Sequence, residues 1–136
     1  MAIETRRRWR LAVLACVVAA QLNGSGISAV APETCVLSHG YWKNHASAWP
    51  VRTLHLGDLA NAVHSYSEPA LQALLSSSAK GDASIILAMQ LIAAKLNVAN
   101  GGHSATADAA IAHADALLAA FNRALPYGVK SNTPVG

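Results

Sequence analysis

Between Pro32 and Pro50 the chain gathers Cys35, His39, Tyr41, Trp42, Lys43, Asn44, His45 and Trp49, its densest run of side chains that could do chemistry. Cys35, His39 and His45 offer a thiolate and two imidazoles, the donor types zinc favours, and His103 or His113 would complete a tetrahedral set from further along the chain. The spacing matches no standard zinc pattern, and no second cysteine pair supports one. Cys-x-x-Cys-His is absent, which removes covalent haem attachment through that motif. Cys35 with His39 or His45 also has the composition of a thiol nucleophile and its base, but no orienting acid or oxyanion donor can be picked out beside them. Asp108 and Asp115 share a helix face about two turns apart and read as solvated charge rather than an acid–base pair. Gly-x-Ser-x-Gly, a phosphate-binding loop and His-Glu-x-x-His are all missing, so no residue is put forward as catalytic.

The same stretch holds a candidate binding surface in Tyr41, Trp42, Lys43, Asn44 and Trp49. Three of the chain's seven aromatic side chains fall here. If Tyr41–Trp49 forms about two helical turns, Trp42 and Trp49, at i and i+7, share one side. Two roles then compete: indoles that close the core with their N–H groups on nearby carbonyls, or a stacking platform for a sugar ring or similar ligand. Lys43 and Asn44 would either cap and solvate the turn or hold something polar.

The elements that must position these residues are predominantly helical, and the expected fold is all-α: a small domain with a central buried helix and an antiparallel helical hairpin. The central helix is Asp82–Asn97. Ile85, Met89, Ile92 and Leu96 recur on one face, while Ile86, Leu87 and Leu91 extend apolar character around most of the circumference, so neighbours should cover it on several sides. Asp82 suits its N-terminus, and Asn100-Gly101-Gly102 supplies a left-handed stop. A last helix of about Ala107–Leu125, capped by Ser104 or Thr106 and ended by Pro126, completes the hairpin. Ser67-Glu68-Pro69 opens a preceding helix bearing Leu71, Leu74 and Leu75. Around 51–66, Leu54, Leu56 and Val63 alternate with polar residues about Gly57-Asp58, which fits a short hairpin or an extended connection, with His55 and His64 at the surface or in turns. Residues 32–128 form a single domain, and 129–136 read as a flexible tail.

Two blocks now stand out in wording as well as chemistry: Cys35 followed after four residues by Gly40-Tyr41-Trp42-Lys43-Asn44-His45, and Gly81-Asp82-Ala83-Ser84 leading to Gln90-Leu91-Ile92-Ala93-Ala94-Lys95-Leu96-Asn97. In these the chain resembles a group of bacterial secreted proteins and domains, mostly uncharacterised, over about residues 35–118. The resemblance implies an extracellular or envelope setting and carries no activity. Ala46 stands where that group often has proline, which leaves the start of a turn there less firmly set.

The leader agrees with that setting. Residues 1–31 read as a signal peptide: a basic segment ending at Arg10, the apolar run Leu11–Ala20, a breaker at Asn23-Gly24-Ser25-Gly26, and Ala29-Val30-Ala31 as a cleavage site, with Ala20 the alternative. Thr5-Arg6-Arg7-Arg8-Trp9 resembles a twin-arginine export signal, and an ordinary Sec leader fits equally. Lipidation of Cys16 fits less well, because only a short apolar run precedes it. The chain's pI of about 9.1 and charge of +3 come from this segment. Without Glu4 and the four arginines before Leu11, basic and acidic residues balance, and nothing argues for nucleic acid. The mature chain of about 105 residues supports one modest core. It would be a periplasmic or extracellular protein with no transmembrane helix. Cys35 would be its sole cysteine, implying a reduced thiol, a metal ligand or a disulfide-linked dimer.

Overall fold

The computed structural model describes residues 35–136; the signal peptide expected over 1–31, Cys16 included, lies outside them. In chain order the elements are α1 (His39–Asn44), a 3-10 turn (Ala46–Ala48), β1 (Thr53–His55), a second 3-10 turn (Ala62–His64), β2 (Ser65–Ser67), α2 (Glu68–Ser76), α3 (Ala83–Ala99) and α4 (Ala105–Ala119). Helix α3 is the centre, packed by α1, α2 and α4. It buries Ser84, Ile85, Ala88, Leu91, Ile92, Ala93, Leu96 and Asn97. Alanine at 88 and 93 lets neighbouring helices approach closely. Ile86 is 45% exposed, so the apolar girdle is not covered all round.

The all-α expectation is corrected. β1 and β2 pair antiparallel with Thr53 opposite Ser67, Leu54 opposite Tyr66 and His55 opposite Ser65, making the domain mixed: helices around one small sheet. Each strand is only three residues long, and a pattern as short as Ser65-Tyr66-Ser67, with Tyr66 alone buried, does not separate a strand from a connection. The sheet also changes how α2 starts. Ser67 occupies the N-cap position without a side-chain cap bond, and the Glu68 N–H donates to the Arg52 carbonyl at 2.8 Å, continuing the strand ladder into the helix.

Two helix boundaries differ from expectation. Trp42 and Trp49 do not lie on one continuous helix: His45 leaves helical geometry at φ −131°, ψ 53°, and a 3-10 turn follows. The last helix stops at Ala119 rather than Leu125. Beyond it the chain folds back: Phe121 stacks on Tyr127 at 4.3 Å, and the Leu125 N–H donates to the Tyr66 hydroxyl at 2.9 Å.

Helix α3 has a built cap at each end. The Asp82 carboxylate accepts the Ser84 N–H at 3.0 Å and the Ser84 hydroxyl at 2.7 Å. At the far end Gly101 takes φ +98°, and the Gly102 N–H reaches back to the Asn97 carbonyl at 2.8 Å, a glycine-dependent stop. Residues 129–131, expected to begin a loose tail, are tied down. Asp82 also accepts the N–H groups of Gly128 at 2.9 Å and Val129 at 3.2 Å, and Lys130 bridges to Asp82 in strand fashion. One carboxylate therefore caps the helix and clasps the C-terminal segment.

Candidate functional site

The aromatic block is organised around Asn97. Its side-chain carbonyl accepts the Leu37 N–H at 2.9 Å and the Trp42 indole N–H at 3.3 Å, while its amide nitrogen donates to the Leu37 carbonyl at 2.8 Å. A buried amide so placed mimics a strand pairing for Leu37 and holds the stretch before α1 onto the end of α3. Trp42 is 1% exposed and Trp49 4%. The Trp49 indole N–H donates to the Trp42 carbonyl at 2.9 Å, so the two residues meet through a hydrogen bond across the kink. Gln72 from α2 approaches the same carbonyl at 3.5 Å. With both indoles inside the core and their N–H groups satisfied, neither ring offers a face to a sugar. Of the other proposed binding residues, Tyr41 is half-buried, in edge contact with Trp42 at 5.3 Å, and Lys43 and Asn44 are exposed. Asn44 donates to the Gly40 carbonyl at 2.9 Å, finishing the short helix.

The candidate metal ligands are not brought together. His45 stacks on Tyr41 at 4.2 Å with Nδ1 2.7 Å from the Tyr41 carbonyl. His39 accepts from Gln90 at 3.4 Å across the α1–α3 contact, and Cys35 is exposed at the start of the described chain. His103 and His113 are exposed on the hairpin side. Among the described residues no group of three or more histidine, cysteine or acidic side chains is arranged to hold a metal ion. The His45 ring is instead held against Tyr41, its Nδ1 engaged with that residue's carbonyl.

A different constellation emerges from residues the sequence presented as interruptions. Lys95 breaks the apolar surface of α3, and Asp115 has the sequence pattern of solvated charge on α4. Their side chains are only 15% and 21% exposed and pair at 2.6 Å. Lys95 also donates to the His55 carbonyl at 2.7 Å, and Asp115 accepts the Gly57 N–H at 2.9 Å. The pair thus rivets the β1–β2 loop to the helical hairpin. Asn61 adds a second tie, donating to Asn122 on the segment after α4 at 2.8 Å. His64, expected at the surface or in a turn, ends the second 3-10 turn but is fully buried behind this loop; its Nδ1–H donates to the Leu56 carbonyl at 3.0 Å, and Gly57 at φ +118° packs against the ring.

Above the ion pair lies an open groove of about 480 Å³ between β1 and the α3–α4 hairpin. Leu54, Leu59, Val98 and Ile111 supply apolar walls, Asp108 stands at its edge, and Leu59 is 73% exposed. Its charged atoms at Lys95 and Asp115 are engaged with each other and with backbone. A second cleft, about 590 Å³, lies between α2 and the 125–126 segment and is walled mainly by Ala70, Leu74, Ile85 and Pro126. Among the described residues no helix is long and apolar enough to cross a membrane.

Set against known protein families, curated proteins and solved structures, the chain matches none of them.

Proposed function

We propose that this chain is an exported, non-catalytic binding module of the cell envelope or extracellular space. The observation that carries the reading is the internal use of the chemistry-rich block. Trp42, Trp49 and Asn97 spend their polar atoms on one another and on backbone, so the residues best suited to chemistry build the domain, and recognition falls to its surface. The leader pattern over 1–31 supports export. The groove beside β1 supports binding, since it combines apolar walls with fixed polar atoms, as recognition sites do. A second reading, zinc held by Cys35, His39 and His45, finds no support in the kinked geometry.

Expression of the full chain in a bacterial host, followed by fractionation and intact-mass measurement, tests the reading. The expected product lies outside the cytoplasm and begins at Pro32. A full-length chain retained in the cytoplasm would overturn it.

A further inference from the structure

We propose that the outer edge of β1 is a docking site for an extended peptide segment of a partner protein, one with apolar side chains flanked by lysine or arginine. This rests on the binding-module reading and names its site and partner. The register decides which backbone atoms are available. The Glu68 N–H bonds to the Arg52 carbonyl and the Leu56 N–H to the His64 carbonyl, so Arg52, Leu54 and Leu56 turn their polar atoms toward β2. Thr53 and His55, alternating with them, direct theirs away from β2. The His55 carbonyl is met there by Lys95, which confirms the direction. Thr53 N–H, Thr53 C=O and His55 N–H point the same way, onto a groove that these residues themselves line.

An exposed strand edge pairs most naturally with another extended backbone, whose alternate side chains then drop into the adjoining recess. Here the recess is walled by Leu59, Val98 and Ile111, which sets an apolar preference. Its charge selects among occupants. Lys95 and Asp115 cancel, leaving the Asp108 carboxylate, which His103 approaches at 4.0 Å and offsets only when protonated. A second copy of this chain would bring an identical carboxylate to the same groove, whereas a basic-flanked peptide complements it. Lys95 occupies one of the outward acceptors, so pairing centres on Thr53 and makes a short, moderate-affinity contact.

The test uses a blocked peptide of sequence Lys-Thr-Val-Thr-Val-Thr-Lys against the folded protein, with amide signals read by NMR. Binding should shift and protect the Thr53 and His55 amides. Methylating the peptide's backbone nitrogens on the pairing edge should weaken it about tenfold or more, the cost of an interstrand hydrogen bond. Thr53→Pro, tolerated where an edge N–H faces outward, should do the same with little change in melting temperature. Asp108→Asn should weaken binding a few-fold and flatten its salt dependence. No binding, or binding indifferent to both methylation and Thr53→Pro, overturns the proposal. A protein that doubles its mass with concentration and returns to monomer in Thr53→Pro also overturns it, assigning the edge to a second copy. Either failure, with the chain still found outside the cytoplasm, leaves the module reading standing.

Discussion

At the scale of single residues, Asn97 and Asp82 do the most structural work, each by serving several partners at once. Replacing Asn97 with alanine would strand the Leu37 N–H, the Leu37 carbonyl and the Trp42 indole N–H, and leaving such groups unmet inside a protein costs about 1–3 kcal/mol each. The expected loss on urea unfolding is therefore about 3 kcal/mol or more, with Trp42→Phe costing less because it removes one donor and leaves the Leu37 pairing intact. Asp82 is titratable as well as structural. Burial acts to raise its carboxyl, but the Ser84 hydroxyl and the N–H groups of Gly128, Ser84 and Val129 together outweigh it and hold the group below its ordinary value. Because the folded value is the lower one, Asp82's contribution is complete above the unfolded value of 3.8 and is lost as pH falls through the folded value. Asp82→Asn should be less stable than the parent at neutral pH and lose less further stability in acid, as read by urea midpoints across that range. Tyr127 has the opposite sign. Burial, reinforced by Tyr66, pushes its phenol up to about 12, so its stabilisation is full below pH 10 and disappears as pH rises through the folded value. A phenolate absorbance titration should show one late tyrosine that is missing in Tyr127→Phe.

At the scale of elements, the β1–β2 loop is where sequence legibility ran lowest. The alternation of Leu54 and Leu56 around Gly57-Asp58 pointed to a hairpin or a connection, but nothing local revealed that the loop is fastened from outside by Asp115, Lys95 and Asn122. Those ties span about sixty residues of sequence or fewer, and a lysine or aspartate on a helix looks the same whether it meets water or a distant backbone N–H. His64 illustrates the same limit: its burial follows from Gly57 packing against its ring, a tertiary fact. Glycine substitutions separate local from tertiary cost here. Gly57→Ala adds a Cβ 2.7 Å from the His64 Nδ1 at φ +118°, while Gly128→Ala adds one at φ +71° with nothing within 4 Å. The second should cost about 1–2 kcal/mol for backbone strain alone, and the first clearly more, measured by thermal melting. Helix starts and stops were better written. Asp82, Ser104 and Gly101 act where their residue types place them, whereas the Ser67 cap was displaced by the strand ladder that ends on Glu68.

At the scale of the whole molecule, the central helix and its hairpin partner were legible because long apolar periodicity survives any context. The small sheet was legible only as one of two alternatives around 51–66, and the role of the Tyr-Trp-Lys-Asn-His block was not, since its composition suits a site as well as a core. Asn97 links the two distinctive blocks: the last residue of one holds the tryptophan of the other, so both are understood as halves of a single packing arrangement. With His39 and His45 engaged by Gln90 and Tyr41, a chelator should leave the melting temperature unchanged. The most direct measurement is tryptophan fluorescence quenching by acrylamide on the full chain carrying Trp9→Phe, so that Trp42 and Trp49 alone report. If the block forms the core, both indoles should be poorly quenched until the protein is unfolded by urea, and added oligosaccharides should change nothing. Quenching in the native protein that approaches the unfolded level, or protection gained on adding an oligosaccharide, would contradict it and restore the tryptophans as a binding surface.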